Sequence, residues 1–258
     1  LGKMEEAVAS YNKALAIKPD YAEAYNNLGN AFMNLGKLED AIVSYQQAVT
    51  IKPDYAEAYL NIGFALQNLG KIDDAIASYR MALGIRPDYA EAHFSLGIAL
   101  RHLGKLTDAV ASYYKAIAVK PDFVEAHTNL GVTLQELGKF DGAVASYRSA
   151  LAIKSDSAEL HANLGNALAQ LGHPGEAAIS YQEALVINPD YAEAHNNFGN
   201  LLKAFGKTDD ALTSYQKALA IKPDYAEARY NLGTALHGLG RLNEAVEHMR
   251  KSIAIRPD

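Results

Sequence analysis

A proline followed by aspartate returns along this chain with one fixed step. Pro19, Pro53, Pro87, Pro121, Pro189, Pro223 and Pro257 each precede an aspartate, and the gaps between them are 34 residues or a multiple of it. At the one missing step Ser155 replaces the proline, and Asp156 still follows. Two series of glycines, one starting at Gly29 and one at Gly36, keep the same step to Gly233 and Gly240. A period of this length, unbroken by any insertion, is the mark of a stacked repeat array rather than of a domain folded around one central core.

Each repeat reads as two helices. Between residues 20 and 52, Ala24, Leu28, Ala31, Phe32 and Leu35 form one apolar stripe at helical spacing. Gly36 stands just past it, where a left-handed residue closes a helix. A second stripe follows in Leu38, Ala41, Ile42, Tyr45, Ala48 and Val49, and Pro53 ends it. Asp20 with Glu23 three places on has the spacing of a capping box, which predicts Asp20 as N-cap. Neither helix can bury its stripe alone, and the small residues Ala24, Gly29, Ala41 and Ala48 allow close approach. The fold expected is all-α, an α-solenoid of stacked antiparallel helix pairs.

Tyr25, Leu28, Gly29, Phe32, Ala41, Tyr45, Ala48 and Pro53 resemble the tetratricopeptide-repeat (TPR) signature in type and spacing, and the match recurs in seven repeats. The last departs most, with Arg229, Met249 and Ser252 at the Tyr25, Tyr45 and Ala48 positions. The resemblance implies a right-handed superhelix whose first helices line a concave groove. As domain organisation it implies a single array over 1–258. Residues 1–21 supply the second helix of a truncated repeat plus a linker, and seven full repeats over 22–255 start near 22, 56, 90, 124, 158, 192 and 226. Residues 256–258, with Pro257 and Asp258, would open a further repeat. With no initiator Met, no signal-peptide pattern and no polar capping helix at either end, the sequence reads as a segment that continues both ways, and its raw ends suggest end-to-end self-association. Ser155, Ser157 and the turn His173-Pro174-Gly175 predict local loosening near 154–160, with Pro174 suited to a first helical turn.

The groove register carries a ladder: Asn27, Asn61, Ser95, Asn129, Asn163, Asn197 and Asn231, flanked by Asn30, Asn166 and Asn200. Asparagine is a mediocre helix residue, because its amide competes for backbone hydrogen bonds. Its recurrence in mid-helix asks for a reason. One is that each carboxamide offers the donor and the acceptor that match a peptide bond, at about 0.5–1.5 kcal/mol per bond. The other is that the amides bind neighbouring helices and stabilise the stack. The ladder is similar to that of the repeat regions of O-linked N-acetylglucosamine transferases and kinesin light chains, where the resemblance implies contact with peptide. Leu60, Phe64, Phe94, Ile98 and Val132 fall in groove registers that are Asn26 and Asn30 in the first repeat, and predict an apolar centre between polar ends.

Other chemistry is disfavoured. No cysteine is present, which removes disulfides and thiolate metal sites. With 24 Lys and Arg against 30 Asp and Glu, a net charge of -6 argues against nucleic acid, and no apolar run is long enough to span a bilayer. His93, His127, His161 and His195 recur in the Tyr25 register. Stacked helices hold equivalent positions roughly 8–10 Å apart, too far for one zinc ion, so these histidines read as core-edge residues. No phosphate loop, nucleophile elbow or HExxH motif occurs. In TPR domains that clamp a chaperone's C-terminal carboxylate, basic groove residues are expected where this chain has Leu60, Glu91, Phe94 and Ser95. The expectation is a non-catalytic, cofactor-free and metal-free chain that binds a protein or an extended peptide. A recognition arm of a larger enzyme, such as a glycosyltransferase, and a self-assembling scaffold are the alternatives.

Overall fold

The computed structural model describes residues 2–256. The expectation that Pro257 and Asp258 open a further helix lies outside the described residues. Those residues form fifteen helices and no strand: α1 (Gly2–Ile17), α2 (Ala22–Asn34), α3 (Leu38–Ile51), α4 (Ala56–Asn68), α5 (Ile72–Ile85), α6 (Ala90–His102), α7 (Leu106–Val119), α8 (Val124–Glu136), α9 (Phe140–Ile153), α10 (Ala158–Leu171), α11 (Pro174–Ile187), α12 (Ala192–Ala204), α13 (Thr208–Ile221), α14 (Ala226–Gly238) and α15 (Leu242–Ile255). The chain divides into two compact bodies, residues 1–133 and 134–258. Within each, consecutive helices pack in antiparallel pairs as an α-solenoid. Among the described residues no helix is long and apolar enough to cross a membrane.

The first helix of each pair ends the way its glycine dictates. Gly36 has φ 72°, a conformation with no Cβ penalty only for glycine. Around it Gly36 N donates to Met33 O at 3.0 Å and Lys37 N to Phe32 O at 2.9 Å, a Schellman motif that satisfies two orphan carbonyls. Gly70, Gly104, Gly138, Gly172, Gly206 and Gly240 repeat the positive φ.

The helix starts differ from the capping-box expectation. Tyr21, not Asp20, is the N-cap of α2, and it makes no side-chain cap hydrogen bond. In the next repeat Lys52-Pro53-Asp54-Tyr55 closes a turn through Tyr55 N to Lys52 O at 3.1 Å, which holds Asp54 one residue too early to cap. The aromatic at the N-cap packs under a cation of the preceding repeat instead: Lys52 Nζ lies 4.9 Å from the Tyr55 ring centre, and the Arg86 guanidinium 3.2 Å from that of Tyr89. Ser157 lacks that ring and caps α10 by accepting from Leu160 N at 3.3 Å. This step, where the sequence suggests loosening, keeps the turn and gains a cap.

The core sits between paired helices. Tyr45, Tyr79, Tyr113, Tyr147 and Tyr215 are fully buried, and so are the alanines beside them, Ala41 and Ala48 among them. A Cβ on Gly29 would stand 2.4 Å from Tyr45 Cε1, so the glycine is the space the ring occupies. Burying a side chain of this size contributes roughly 1.5–3 kcal/mol. On the last helix, Leu242, Val246 and Ile253 remain exposed.

Candidate functional site

Small recesses open on the first-helix face of each body. In the N-terminal body one of ≈ 420 Å³ is lined by Asn30, Met33 and Asn34 of α2, Tyr45 of α3, and Asn61 and Phe64 of α4. In the C-terminal body one of ≈ 470 Å³ includes Asn166, Ala169 and Gln170 of α10, Tyr181 of α11, and Asn197 and Asn200 of α12. These six are the first set advanced by four repeats. The wall residue differs, Phe64 in one and Asn200 in the other. A larger hollow of ≈ 710 Å³ lies among α5, α6 and α7, lined by Leu83, Gly84, His93 and Lys115 among others. Only in this repeat is the Gly84 position a glycine. The smaller pair repeats with the fold, which makes it the stronger candidate.

The recess chemistry is built from amides and phenols. The Tyr45 hydroxyl donates to Asn30 Oδ1 at 2.7 Å, Tyr181 to Asn166 Oδ1 at 2.6 Å and Tyr215 to Asn200 Oδ1 at 2.8 Å. Burial pushes the Tyr45 phenol well above its ordinary range, with the Glu57 charge adding to it, and burial alone raises that of Tyr215 to about 12. These hydroxyls therefore stay protonated donors at any ordinary pH. Asn61 Nδ2 donates to Asn26 Oδ1 at 2.9 Å and to Asn30 Oδ1 at 3.4 Å. Asn197 Nδ2 donates to Asn166 Oδ1 at 3.0 Å, and Asn231 Nδ2 to Asn196 Oδ1 at 2.9 Å. The amides thus bridge neighbouring first helices.

The ladder is not uniform. Asn27 is exposed and makes no side-chain hydrogen bond among the described residues. Asn129 turns its Nδ2 back onto Glu125 O of its own helix, 2.9 Å away, and Asn163 is half-buried. The sequence places Asn26 and Asn196 in an open register, but both are buried, at 1% and 0% exposure, because the following repeat covers them. In the same register Phe94 is half-buried, its ring 4.8 Å from that of Phe123 and 6.0 Å from that of Tyr113. It packs against the core cluster of Ala90, Ala116, Phe123 and Ala126. Leu60, Ile98 and Val132 are half-buried, while Phe64 is 53% exposed and faces a recess.

A second interaction was not legible in the sequence. His93 Nε2 lies 2.8 Å from Pro87 O, His127 Nε2 2.9 Å from Pro121 O, His161 Nε2 3.1 Å from Ser155 O and His195 Nε2 2.9 Å from Pro189 O. Since a carbonyl only accepts, each ring carries its proton on Nε2 and ties the helix to the turn before it. Arg229 does the same with two donors to Pro223 O, at 3.0 and 2.6 Å. The recurring histidines are thus structural latches, and among the described residues no group of three or more His, Asp or Glu is placed to hold a metal.

The sequence profile of the TPR repeat matches residues 1–36, 29–70, 134–172 and 199–240. Further tetratricopeptide repeat profiles match 60–123, 158–191, 180–213 and 226–258. The chain belongs to the tetratricopeptide repeat family. No curated protein matches it. Among similar solved structures, MamA is 28% identical over 63% of this chain and 95% of its own, with a TM-score of 0.58. YrrB, described as a TPR protein with an unusual peptide-binding site, is 26% identical over 70% of this chain and 93% of its own, with a TM-score of 0.56. A tetratricopeptide repeat protein from Parabacteroides merdae ATCC 43184, at 17% identity, shares the fold with a TM-score of 0.70 over 91% of this chain and 93% of its own. As a TPR protein, this chain is a protein-interaction module.

Proposed function

We propose that this TPR module binds an extended peptide or protein segment along its first-helix face, with the asparagine recesses gripping the ligand backbone. The observation that carries the reading is the recurrence of one recess, built from the same asparagine and tyrosine positions, in both bodies. Each recess pairs amide groups with a side-chain wall. The amides suit any peptide group, and the wall selects what stands beside it: an apolar side chain against Phe64, a polar one against Asn200. The peptide-binding site attributed to YrrB supports the same reading.

The test is capture from a random-sequence peptide library by the immobilised chain, beside an Asn61→Ala, Asn197→Ala double variant and a Phe64→Ala variant. Enrichment by the wild type, loss of it in the double variant, and loss of apolar preference in Phe64→Ala are expected. Melting temperatures measured alongside separate binding from stability. A wild-type chain that enriches no peptide would end this reading.

A further inference from the structure

The hydrogen bonds around the recesses determine which amide atom each asparagine shows. Buried Asn26 donates its Nδ2 to Glu57 Oε1 at 3.5 Å, and its counterpart Asn196 donates to Glu227 Oε1 at 3.0 Å. An ionised carboxylate only accepts, so the amide nitrogen must face it and Oδ1 must face the other way. That oxygen receives Asn61 Nδ2 in the N-terminal body and Asn231 Nδ2 in the C-terminal body, each at 2.9 Å. Asn61 gives its other amide proton to Asn30 Oδ1 at 3.4 Å. Both its protons are spent, and Oδ1 is what it has left to offer. Asn30 is the complement: its Oδ1 takes the Tyr45 hydroxyl and Asn61, which leaves its Nδ2 without a partner among the described residues.

The C-terminal recess repeats the division at Asn166. Asn166 Oδ1 accepts from Tyr181 at 2.6 Å and from Asn197 Nδ2 at 3.0 Å, leaving Nδ2 as its remaining group. Asn196, oriented by Glu227, also directs its Nδ2 to Asn197 Oδ1 at 3.3 Å, which fixes Asn197 the same way round as Asn61 and leaves that oxygen its second lone pair for a ligand.

We infer that each recess takes one ligand peptide group edge-on and one way round only, its N–H donating to Oδ1 of Asn61 or Asn197 and its C=O accepting from Nδ2 of Asn30 or Asn166, with Glu57 and Glu227 as the positioning residues that set this polarity. The inference rests on the peptide-binding reading above and sharpens it. Free carboxamides would turn over to suit either edge of a peptide group. These cannot, because a turned Asn26 would set its oxygen against a carboxylate. The ladder is then a directional reader of backbone N–H groups, and a ligand lacking them is rejected even where its carbonyls and side chains are unchanged.

Two pools of the same random decapeptide sequences test this on the full chain, one all-amide and one with alternate amides replaced by esters. An ester keeps the carbonyl and the shape but puts an oxygen where the N–H was. Wild-type protein is expected to capture the amide pool about tenfold better, the scale of a lost hydrogen bond plus oxygen–oxygen repulsion. In a Glu57→Gln, Glu227→Gln variant the glutamine can donate as well as accept, the asparagines are free to turn, and the discrimination should shrink to about threefold or less. Equal capture of both pools by the wild type overturns the polarity and leaves peptide binding standing. Capture of neither overturns both. Undiminished discrimination in the double variant, with an unchanged melting temperature, overturns the role of the carboxylates. The wild-type comparison decides the polarity even if that variant fails to fold.

Discussion

The Tyr45 hydroxyl donates to Asn30 Oδ1 across 2.7 Å, joining a fully buried ring of the core to a residue that lines an open recess. Stability and recognition meet at this bond. Tyr45→Phe removes the donor and leaves the ring, so packing survives. The expected loss is about 1 kcal/mol of stability in a denaturant melt, together with weaker peptide capture, because Asn30 is no longer held in one orientation. A capture level equal to wild type would separate the two roles.

Tyrosine burial also sets an alkaline limit. The folded phenols have raised values, about 12 for Tyr215 and Tyr225, against the ordinary 10.0. Below pH ~10 both folded and unfolded chains keep these protons and stability does not change on their account. Above it the unfolded chain releases protons that the folded chain retains, so stability falls as pH rises, until the folded value is passed. The slope is about 1.4 kcal/mol per pH unit per phenol. Urea midpoints should drop between pH 9 and pH 11, and Tyr215→Phe should lessen the drop.

Gly29 and Gly84 respond to alanine in opposite directions. At Gly29 the new methyl would meet Tyr45 Cε1 at 2.4 Å and Cδ1 at 2.6 Å, and that ring has nowhere to go. A loss of about 1–3 kcal/mol or more is expected from overpacking. At Gly84, near the end of α5, a methyl meets nothing within 4 Å. Alanine there should gain roughly 0.5–1 kcal/mol from helix propensity. Thermal melts of the two single variants check both signs.

Ser157→Ala removes the side-chain N-cap of α10 and should cost about 1 kcal/mol. Asp20→Ala, where the capping-box pattern predicts a similar loss, should show none from capping, since Asp20 lies in the turn before Tyr21. Equal losses for the two would restore Asp20 as a cap.

Asn27→Ala should cost no stability and gain a few tenths of a kcal/mol from helix propensity, whereas Asn61→Ala should lose about 1–2 kcal/mol, since it deprives buried Asn26 of the donor to its oxygen. Identical melts for the two variants would contradict the bridging role of Asn61.

The helix pairs, the turn at Gly36 and the close approach at Gly29 were legible because each depends on residues within one repeat. The 3.6-residue period and the 34-residue step therefore suffice to place them. What a single repeat does not reveal is everything set by the next one. Asn26 and Asn27 are adjacent on one helix and look alike in the sequence, yet one is sealed by α4 and the other stands exposed. Phe94 shares a register with Asn26 and is drawn into the Phe123 contact, so its large apolar ring signals packing where the pattern suggests a patch. The donors of the bonds to turn carbonyls, His93 and Arg229 among them, share one register, but periodicity does not reveal what they bind, because a backbone acceptor has no side-chain signature. Of the candidate ligand surface, the residue types were readable and the atoms they present were not.

The triangle of Asn26, Glu57 and Asn61 recurs as Asn196, Glu227 and Asn231, but the register of Asn26 holds Leu60, Phe94, Thr128 and Ala162 in between. Repeats that share one period are therefore not interchangeable. A recombination event that removed the second repeat would preserve the 34-residue phase and every helix pair, yet it would set Asn26 opposite Glu91 and Ser95, with no amide to satisfy its oxygen. Loss of a whole repeat is therefore opposed at each of these junctions, even though the phase of the array survives it.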